Sequence, residues 1–144
     1  MPVTDKVRTL VFRRSHYCCE YCQIRDWWLE IDHIIPEARW EELGGGVGLH
    51  EPANLAAACI DCNNAKRDHV ISVDELTGTV HFLDNPRSQS WFEHFSWTED
   101  FLWLIGLTPI GRATVGRLKM NRCIYRQQRR LLRAGMEGGA ATWP

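Results

Sequence analysis

The first hydrophobic pattern along the chain is that of an amphipathic helix. Within residues 4–16, Val7, Leu10 and Val11 recur three and four positions apart, which is the spacing of one helix face. Thr4 precedes this pattern and is a favourable N-cap. We therefore expect a helix over residues 4–16.

A pattern typical of strands follows. The segment 27–35, WWLEIDHII, is rich in aromatic and β-branched residues and partly alternates, and Pro36 ends it. Residues 37–52 include four glycines and predict a flexible connection. The run 54–59, NLAAAC, predicts a second strand, and a helix is expected to start at residues 63–67. The pattern thus predicts a long-looped β-hairpin followed by a helix.

The second half of the chain predicts smaller elements. Residues 74–78 indicate a turn and residues 79–83 a short strand. Six aromatic residues between Trp91 and Trp103 favour a small hydrophobic cluster over a base-stacking surface. One long basic helix is expected from Pro109 to about Ala134.

These elements suggest one core with an extension. We expect a core over residues 1–84, an aromatic and basic helical extension over residues 85–134 that packs on it, and a flexible tail over residues 135–144. The chain has 144 residues, 44% of them hydrophobic, which is enough for one ordinary domain with a core.

Composition also bears on the cellular location of the protein. The longest apolar run, residues 101–107, is far below the roughly 20 residues of a membrane helix, and the first residues lack the apolar stretch of a signal peptide. These features predict a cytoplasmic protein without a membrane partner. They leave the oligomeric state undetermined.

The charge distribution is more informative about binding partners than the net charge of −1 is. Residues 1–19 have a net charge of +3, residues 20–100 of −11 and residues 101–144 of +7. Basic ends around an acidic middle are compatible with phosphate contacts on both sides of a metal site. The C-terminal basic run could also be an ordinary solvated face. The candidates for phosphate contact in this run are Arg112, Arg117, Lys119, Arg122 and Arg126.

The spacing of the cysteines predicts a metal site. The pairs Cys19–Cys22 and Cys59–Cys62 are two Cys-x-x-Cys motifs, and in an intracellular protein such pairs favour one structural zinc over disulfides. Cys18 is an alternative to Cys19 as the first ligand. Cys123 has no partner motif and is expected to be a buried or inert thiol.

Polar residues around these motifs carry a family resemblance. The relevant segments are Cys19-Glu-Tyr-Cys22, Ile31-Asp32-His33-Ile34-Ile35-Pro36, Asn54-Leu55 and Cys59-Ile-Asp-Cys62-Asn63-Asn64-Ala65-Lys66. Over about residues 13–70 they resemble the HNH endonuclease family, in the ββα-metal (His-Me finger) group of nucleases. Residues 85–114 are similar to a tail attached to stand-alone HNH proteins.

The resemblance implies an α+β fold in which a hairpin and a helix hold one catalytic divalent ion. His33 is then the general base, Asp32 and Asn63 hold Mg²⁺ or Mn²⁺, and Asn54 resembles the middle asparagine that fixes the loop. A neutral histidine and a hard carboxylate ligand suit the two sides of phosphodiester hydrolysis. Asn63 could instead cap the helix, and Lys66 and Arg67 are further candidates for phosphate contact.

These expectations define a function. The sequence predicts a metal-dependent HNH endonuclease that hydrolyses phosphodiester bonds in nucleic acid, with a structural Zn²⁺ and a catalytic Mg²⁺ or Mn²⁺. DNA is favoured over RNA as the substrate. Two alternatives remain: a zinc-ribbon module that binds nucleic acid without cutting it, and a zinc-stabilised domain that binds another protein.

Overall fold

The chain folds into short helices and strands that alternate along the sequence. A computed structural model describes residues 2–26, 28–43 and 48–137. The elements in order are α1 (Asp5–Arg14), β1 (Glu30–His33), α2 (Trp40–Leu43), β2 (Leu55–Ala58), α3 (Ile60–Lys66), β3 (Ile71–Asp74), β4 (Thr79–Phe82), α4 (Trp91–His94), β5 (Phe95–Trp97), β6 (Leu104–Gly106), α5 (Pro109–Arg117) and α6 (Cys123–Glu137). This mixture confirms the α+β class.

Each strand pairs with one neighbour. The six strands form three separate antiparallel sheets, β1–β2, β3–β4 and β5–β6. Contacts divide the chain into two compact units, one of residues 1–70 and 85–89 and one of residues 71–84 and 90–144. Within the described residues, no helix is long and apolar enough to cross a membrane.

Helix α1 begins the first unit, as predicted. The Thr4 hydroxyl accepts a hydrogen bond from the backbone N–H of Val7, which caps the helix. Val11 is fully buried and packs with Leu55 and Ala57 of β2. Leu10 lies on the exposed side, so the buried stripe is narrower than the sequence pattern indicated.

The predicted long-looped hairpin is formed by β1 and β2. Its register pairs Asp32 with Ala56 and His33 with Leu55. Strand β2 is buried along its whole length, whereas β1 is buried mainly at Asp32. Trp27 and residues 44–47, which belong to the predicted strand and connection, lie outside the described residues.

Helix α3 begins earlier than the sequence suggested. Cys59 is its N-cap, because the Cys59 sulfur accepts a hydrogen bond from the N–H of Cys62. The helix therefore includes the second cysteine motif, and Asn63 lies inside it rather than at its cap. It ends at Arg67, which has a positive φ of 52°.

In the second unit, β3 and β4 form a hairpin of which only β4 was expected. The turn between them passes through Gly78 at φ 73°, a conformation that favours glycine. Asp74 accepts two hydrogen bonds from the Arg112 guanidinium, which joins this hairpin to α5. Residues 71–84 belong to the second unit together with the C-terminal elements, whereas the sequence pattern placed them in a core of residues 1–84.

The expectation of one long C-terminal helix is wrong. The chain forms α5 and α6 separately, and Lys119 between them has a positive φ of 51°. The Arg122 guanidinium donates to the backbone carbonyls of Leu118 and Lys119 and satisfies the end of α5. Residues 135–137 of the predicted tail lie in α6, and residues 138–144 lie outside the described part of the chain.

The aromatic residues form the expected hydrophobic cluster. The ring of Trp91 lies 5.1–5.7 Å from the rings of Phe92, Phe95 and Trp97, measured between centroids. Arg129 is fully buried beside this cluster, with its guanidinium over the Trp97 ring. Cys123 is exposed, so the expectation of burial for this thiol is wrong.

Candidate active site and metal centre

Four cysteines converge in the first unit. The sulfurs of Cys19, Cys22, Cys59 and Cys62 all lie within 4.8 Å of one another, and all four residues are buried. Within each motif the N–H of the second cysteine donates to the sulfur of the first. Cys18 lies outside this group and its thiol donates to the carbonyl of His16, so the structure selects Cys19 over Cys18 as the fourth sulfur.

The geometry of this cluster fits a tetrahedral zinc ion. Zinc–sulfur bonds of about 2.3 Å place sulfurs about 3.8 Å apart, and the sulfurs of Cys22 and Cys59 are separated by 3.8 Å. Hydrogen bonding to Cys19 and burial raise the pKa of the Cys62 thiol well above its usual value. A buried cation is what would stabilise these sulfurs as thiolates. The cluster could therefore hold a structural zinc.

His33 lies at the end of β1 and faces a second histidine. Its Nε2 atom is 2.9 Å from Nδ1 of His50, and both rings are half-buried. Burial, followed by the neighbouring His50, lowers the pKa of His33 below its ordinary value. The ring is therefore neutral near pH 7 and can accept a proton.

Asn54 fixes the backbone on both sides of this pair. It is buried, and its side-chain oxygen accepts from the N–H of Ile35 at 2.9 Å. Its amide nitrogen donates to the carbonyls of Ile35 and Leu49, each at 3.0 Å. One side chain thus holds the segment after His33 and the segment before His50.

Asp32 points to the other side of β1 and is 3% exposed. Its Oδ2 atom accepts from the Tyr21 hydroxyl at 2.5 Å, and its Oδ1 atom accepts from the Lys66 ammonium at 3.0 Å. Burial raises the pKa of this carboxyl, and Lys66 opposes the shift. Asp32 therefore lies in an internal ion pair, while each carboxylate oxygen retains a second lone pair.

Asn63 faces the same strand from α3. Its amide nitrogen donates to Oε1 of Glu30 at 3.0 Å. Glu30 and Asp32 are two positions apart on β1 and therefore share one face of the strand. The amide oxygen is the metal-binding donor of Asn63, and the hydrogen bond to Glu30 leaves that atom available.

The predicted phosphate contacts separate into two groups. Lys66 is 1% exposed and its ammonium also donates to the carbonyls of His33 and Ile34, which corrects its assignment as a surface contact. Arg112 is already paired with Asp74 in the second unit. Arg122 caps α5, and Arg126 lies over the Trp103 ring at 4.2 Å.

Two candidates remain at the surface. Arg67 in the first unit and Lys119 in the second are exposed, and both have positive φ. Arg117 is partly buried, with its Nε atom lacking a hydrogen-bond partner among the described residues. Fewer of the seven predicted phosphate contacts are therefore exposed than the sequence indicated.

Sequence reasoning missed three residues at the site: Tyr21, Glu30 and His50. Tyr21 lies inside the first cysteine motif and Glu30 two positions before Asp32, so a spacing argument could have found both. His50 lies 17 positions from His33 in a loop, and no periodicity relates them. Only the folded loop brings these two rings together.

Comparison with known families agrees with this arrangement. The family model described as HNH endonuclease matches residues 19–69, which span both cysteine motifs, the β1–β2 hairpin and α3. The predicted family resemblance is thereby confirmed. Searches of curated proteins and of solved structures gave no match.

Proposed function

We propose, because the HNH endonuclease family model matches residues 19–69, that the protein is a metal-dependent endonuclease that hydrolyses phosphodiester bonds in nucleic acid, with DNA favoured over RNA. The observation that carries this proposal is the position of His33: a half-buried, neutral imidazole next to a buried carboxylate on the same strand. His33 and Asp32 are neighbours on β1 and point to opposite sides of it, which suits separate roles as general base and metal ligand.

His33 accepts the proton of the attacking water. The water oxygen then forms a bond to phosphorus, and the bond from phosphorus to the leaving oxygen breaks with its electron pair on that oxygen. The lowered pKa of His33 keeps its accepting nitrogen unprotonated at neutral pH. Asn54 supports this role by holding the backbone at Ile35, two residues beyond the base.

Asp32 and Asn63 hold the catalytic divalent ion in this proposal. A carboxylate and an amide oxygen are ligands suited to Mg²⁺ or Mn²⁺, and the hydrogen bond between Asn63 and Glu30 leaves the amide oxygen free. When bound, the ion stabilises negative charge on the phosphoryl and leaving oxygens. The Lys66 ammonium on Asp32 must then share the carboxylate or move away from it.

The four-cysteine cluster holds a structural zinc in this proposal. The zinc links the segment before β1 to the N-terminus of α3, because each segment supplies two sulfurs. The zinc thereby holds β1 and α3 on either side of the proposed catalytic ion. His33 and Asp32 lie on the strand, and Asn63 lies on the helix.

Exposed basic residues bind the sugar-phosphate backbone. Arg67 and Lys119 are the strongest candidates, since their charges are exposed and the other predicted contacts are buried, paired or used as caps. Arg117 is a further candidate. Contacts of this kind hold nucleic acid without reading its bases, so we expect low sequence preference.

A plasmid cleavage assay tests the proposal. Zinc-loaded wild-type protein is expected to convert supercoiled DNA in the presence of Mg²⁺ or Mn²⁺ but not of a chelator, and His33→Ala is expected to lose the activity. His81→Ala, a histidine of the second unit, is the matched control and should cut like wild type. Zinc content and circular dichroism must be equal in all three proteins.

Two outcomes would contradict the proposal. Salt-sensitive DNA binding without any cutting would favour a binding module, and the absence of nucleic-acid binding would favour a protein-interaction domain. Retention of full activity in His33→Ala would overturn the assignment of the base. Parallel assays on single-stranded RNA test the preference for DNA.

A further inference from the structure

The contact between His33 and His50 is not explained by the roles proposed above for His33, Asp32, Asn54 and Asn63. His50 lies outside the two cysteine motifs and outside β1, β2 and α3, yet its Nδ1 atom is 2.9 Å from Nε2 of His33. The two ring centroids are 5.0 Å apart and the ring planes meet at 72°. This edge-on arrangement directs one nitrogen of each ring toward the other, as in a hydrogen bond.

We propose that His50 is the positioning residue of the general base: it accepts a hydrogen bond from Nε2–H of His33 and thereby leaves Nδ1 of His33 as the proton acceptor. This inference rests on the proposed nuclease function. A neutral imidazole carries one N–H and one lone pair, so the partner of one nitrogen determines which atom can act as a base. His50 performs this selection.

The direction of the hydrogen bond follows from the chemistry. If His50 donated instead, Nε2 of His33 would accept that hydrogen bond and Nδ1 of neutral His33 would carry the proton. The base would then have no free lone pair. With His33 as donor, Nδ1 has a free lone pair, and it makes no hydrogen bond within the described residues. After His33 takes the water's proton, Nε2–H still donates to His50, and no proton moves to His50.

The loop that carries His50 is fixed at the right place. Asn54 donates to the carbonyl of Leu49, the residue immediately before His50, and the same amide nitrogen donates to the carbonyl of Ile35. The two histidines therefore project from backbone segments held by one buried side chain. This shared clamp distinguishes the pair from a chance contact between a loop and a strand.

Two His50 variants separate the hydrogen bond from the bulk of the ring. The Oδ1 atom of asparagine can take the place of the histidine Nδ1 atom as an acceptor, whereas alanine removes it. We expect His50→Ala to lower kcat by about 10–100-fold, the usual effect of losing a partner that orients a site residue, with KM for DNA unchanged. His50→Asn should retain most of the wild-type kcat, and His81→Ala is the control.

Nitrogen NMR of the zinc-loaded protein without the catalytic metal provides a readout that does not depend on cleavage. In wild type and His50→Asn, His33 should be the Nε2–H tautomer; in His50→Ala, both tautomers should be populated. An Nδ1–H tautomer in wild type would overturn the inference whatever the activity. Equal kcat in wild type and His50→Ala would overturn it as well.

The two hypotheses fail in different ways. If wild-type protein does not cut nucleic acid, the nuclease proposal fails, and the tautomer of His33 still decides whether His50 positions its ring. If wild type cuts and His33→Ala does not, the nuclease proposal stands. Equal loss of kcat in His50→Asn and His50→Ala would then refute the role of the acceptor atom.

Discussion

Lys66 has almost no exposed surface and makes three polar contacts at the end of β1. Its ammonium group donates to the Asp32 carboxylate and to the carbonyls of His33 and Ile34. A buried charge is costly unless it is paired, and here the pair also fixes the backbone of β1 to α3. Lys66 is therefore an internal support of the site.

Removal of the Lys66 charge should destabilise the protein. Lys66→Met leaves the Asp32 carboxylate buried without its cation, and breaking such a pair costs about 3–5 kcal/mol of the free energy of unfolding. Urea unfolding of zinc-loaded protein measures the loss. Lys119→Met, at an exposed lysine, should be nearly neutral. An equal effect of the two variants would contradict the internal role of Lys66.

Asp84 is a second buried carboxyl group, and in the described part of the chain it has no ion-pair partner. Its Oδ1 atom has no hydrogen-bond partner within the described residues, and burial raises its pKa to about 7. The folded state therefore keeps a proton that the unfolded state loses near pH 4. Stability contributed by the neutral acid is present below pH 4 and falls as the pH rises to about 7.

Asp84→Asn should remove this pH dependence. The amide has nearly the same shape and no charge, so the variant is expected to be more stable than wild type at pH 8. The gain is on the order of 4 kcal/mol, since the pKa is raised by about 3 units and each unit corresponds to about 1.4 kcal/mol. Melting curves of wild type and Asp84→Asn from pH 4 to pH 8 test this. A parallel decline of the melting temperature in both proteins would contradict it.

At the scale of elements, the β3–β4 hairpin is held to α5 by one ion pair. Asp74 is buried and accepts two hydrogen bonds from Arg112. These hydrogen bonds hold the pKa of Asp74 well below its usual range. Stability from this contact is therefore present above pH 4 and is lost as the pH falls through the lowered pKa of the folded state.

Asp74→Asn should lower the melting temperature at pH 7, because an amide cannot accept both hydrogen bonds from the guanidinium. The difference from wild type should shrink below pH 4, where the wild-type carboxyl also becomes protonated. Glu75→Gln, at the exposed neighbour in the same turn, is the control. A constant difference at all pH values would show that the charge of Asp74 is not the cause.

Element existence was more predictable than element boundaries. The strand, strand and helix order of the first unit follows from periodicity and glycine content, whereas the early start of α3 depends on the Cys59 sulfur acting as a cap. The break between α5 and α6 depends on a long-range contact, since the Asn121 side chain pairs with the backbone of Leu104. Local helix preference gives no sign of such contacts.

The same limit applies to the site. His33, Asp32, Asn54 and Asn63 could be predicted because their order and spacing are visible in the sequence. The use of Lys66 could not, because its burial depends on how α3 packs against β1. The relation between His33 and His50 depends on the path of a loop, which residue preferences do not determine.

At the scale of the whole molecule, the two units differ in how they are stabilised. The apolar core of the first unit includes Val11, Leu55 and Ala57. All four sulfurs of the candidate zinc site belong to this unit. The buried side chains of the second unit include Phe95, Tyr125 and Arg129.

Zinc removal should therefore unfold the first unit selectively. Metal binding supplies folding free energy to small zinc domains, so chelation should abolish amide protection in β1 and β2. The helices α5 and α6 should keep most of theirs. Hydrogen exchange measured by peptide mass spectrometry follows the two units separately. Cys59→Ser is expected to resemble the chelated protein, and Cys123→Ser is expected to resemble the untreated one. Uniform loss of protection would contradict this division.

The Asn54 clamp also determines how the site tolerates change in its sequence. One buried amide holds the backbone on both sides of residues 36–48, at Ile35 and at Leu49. An insertion between these two points adds mainly closure entropy, about 0.6 kcal/mol for each doubling of length. The length of this connection can therefore change while the histidine pair at its base stays in place.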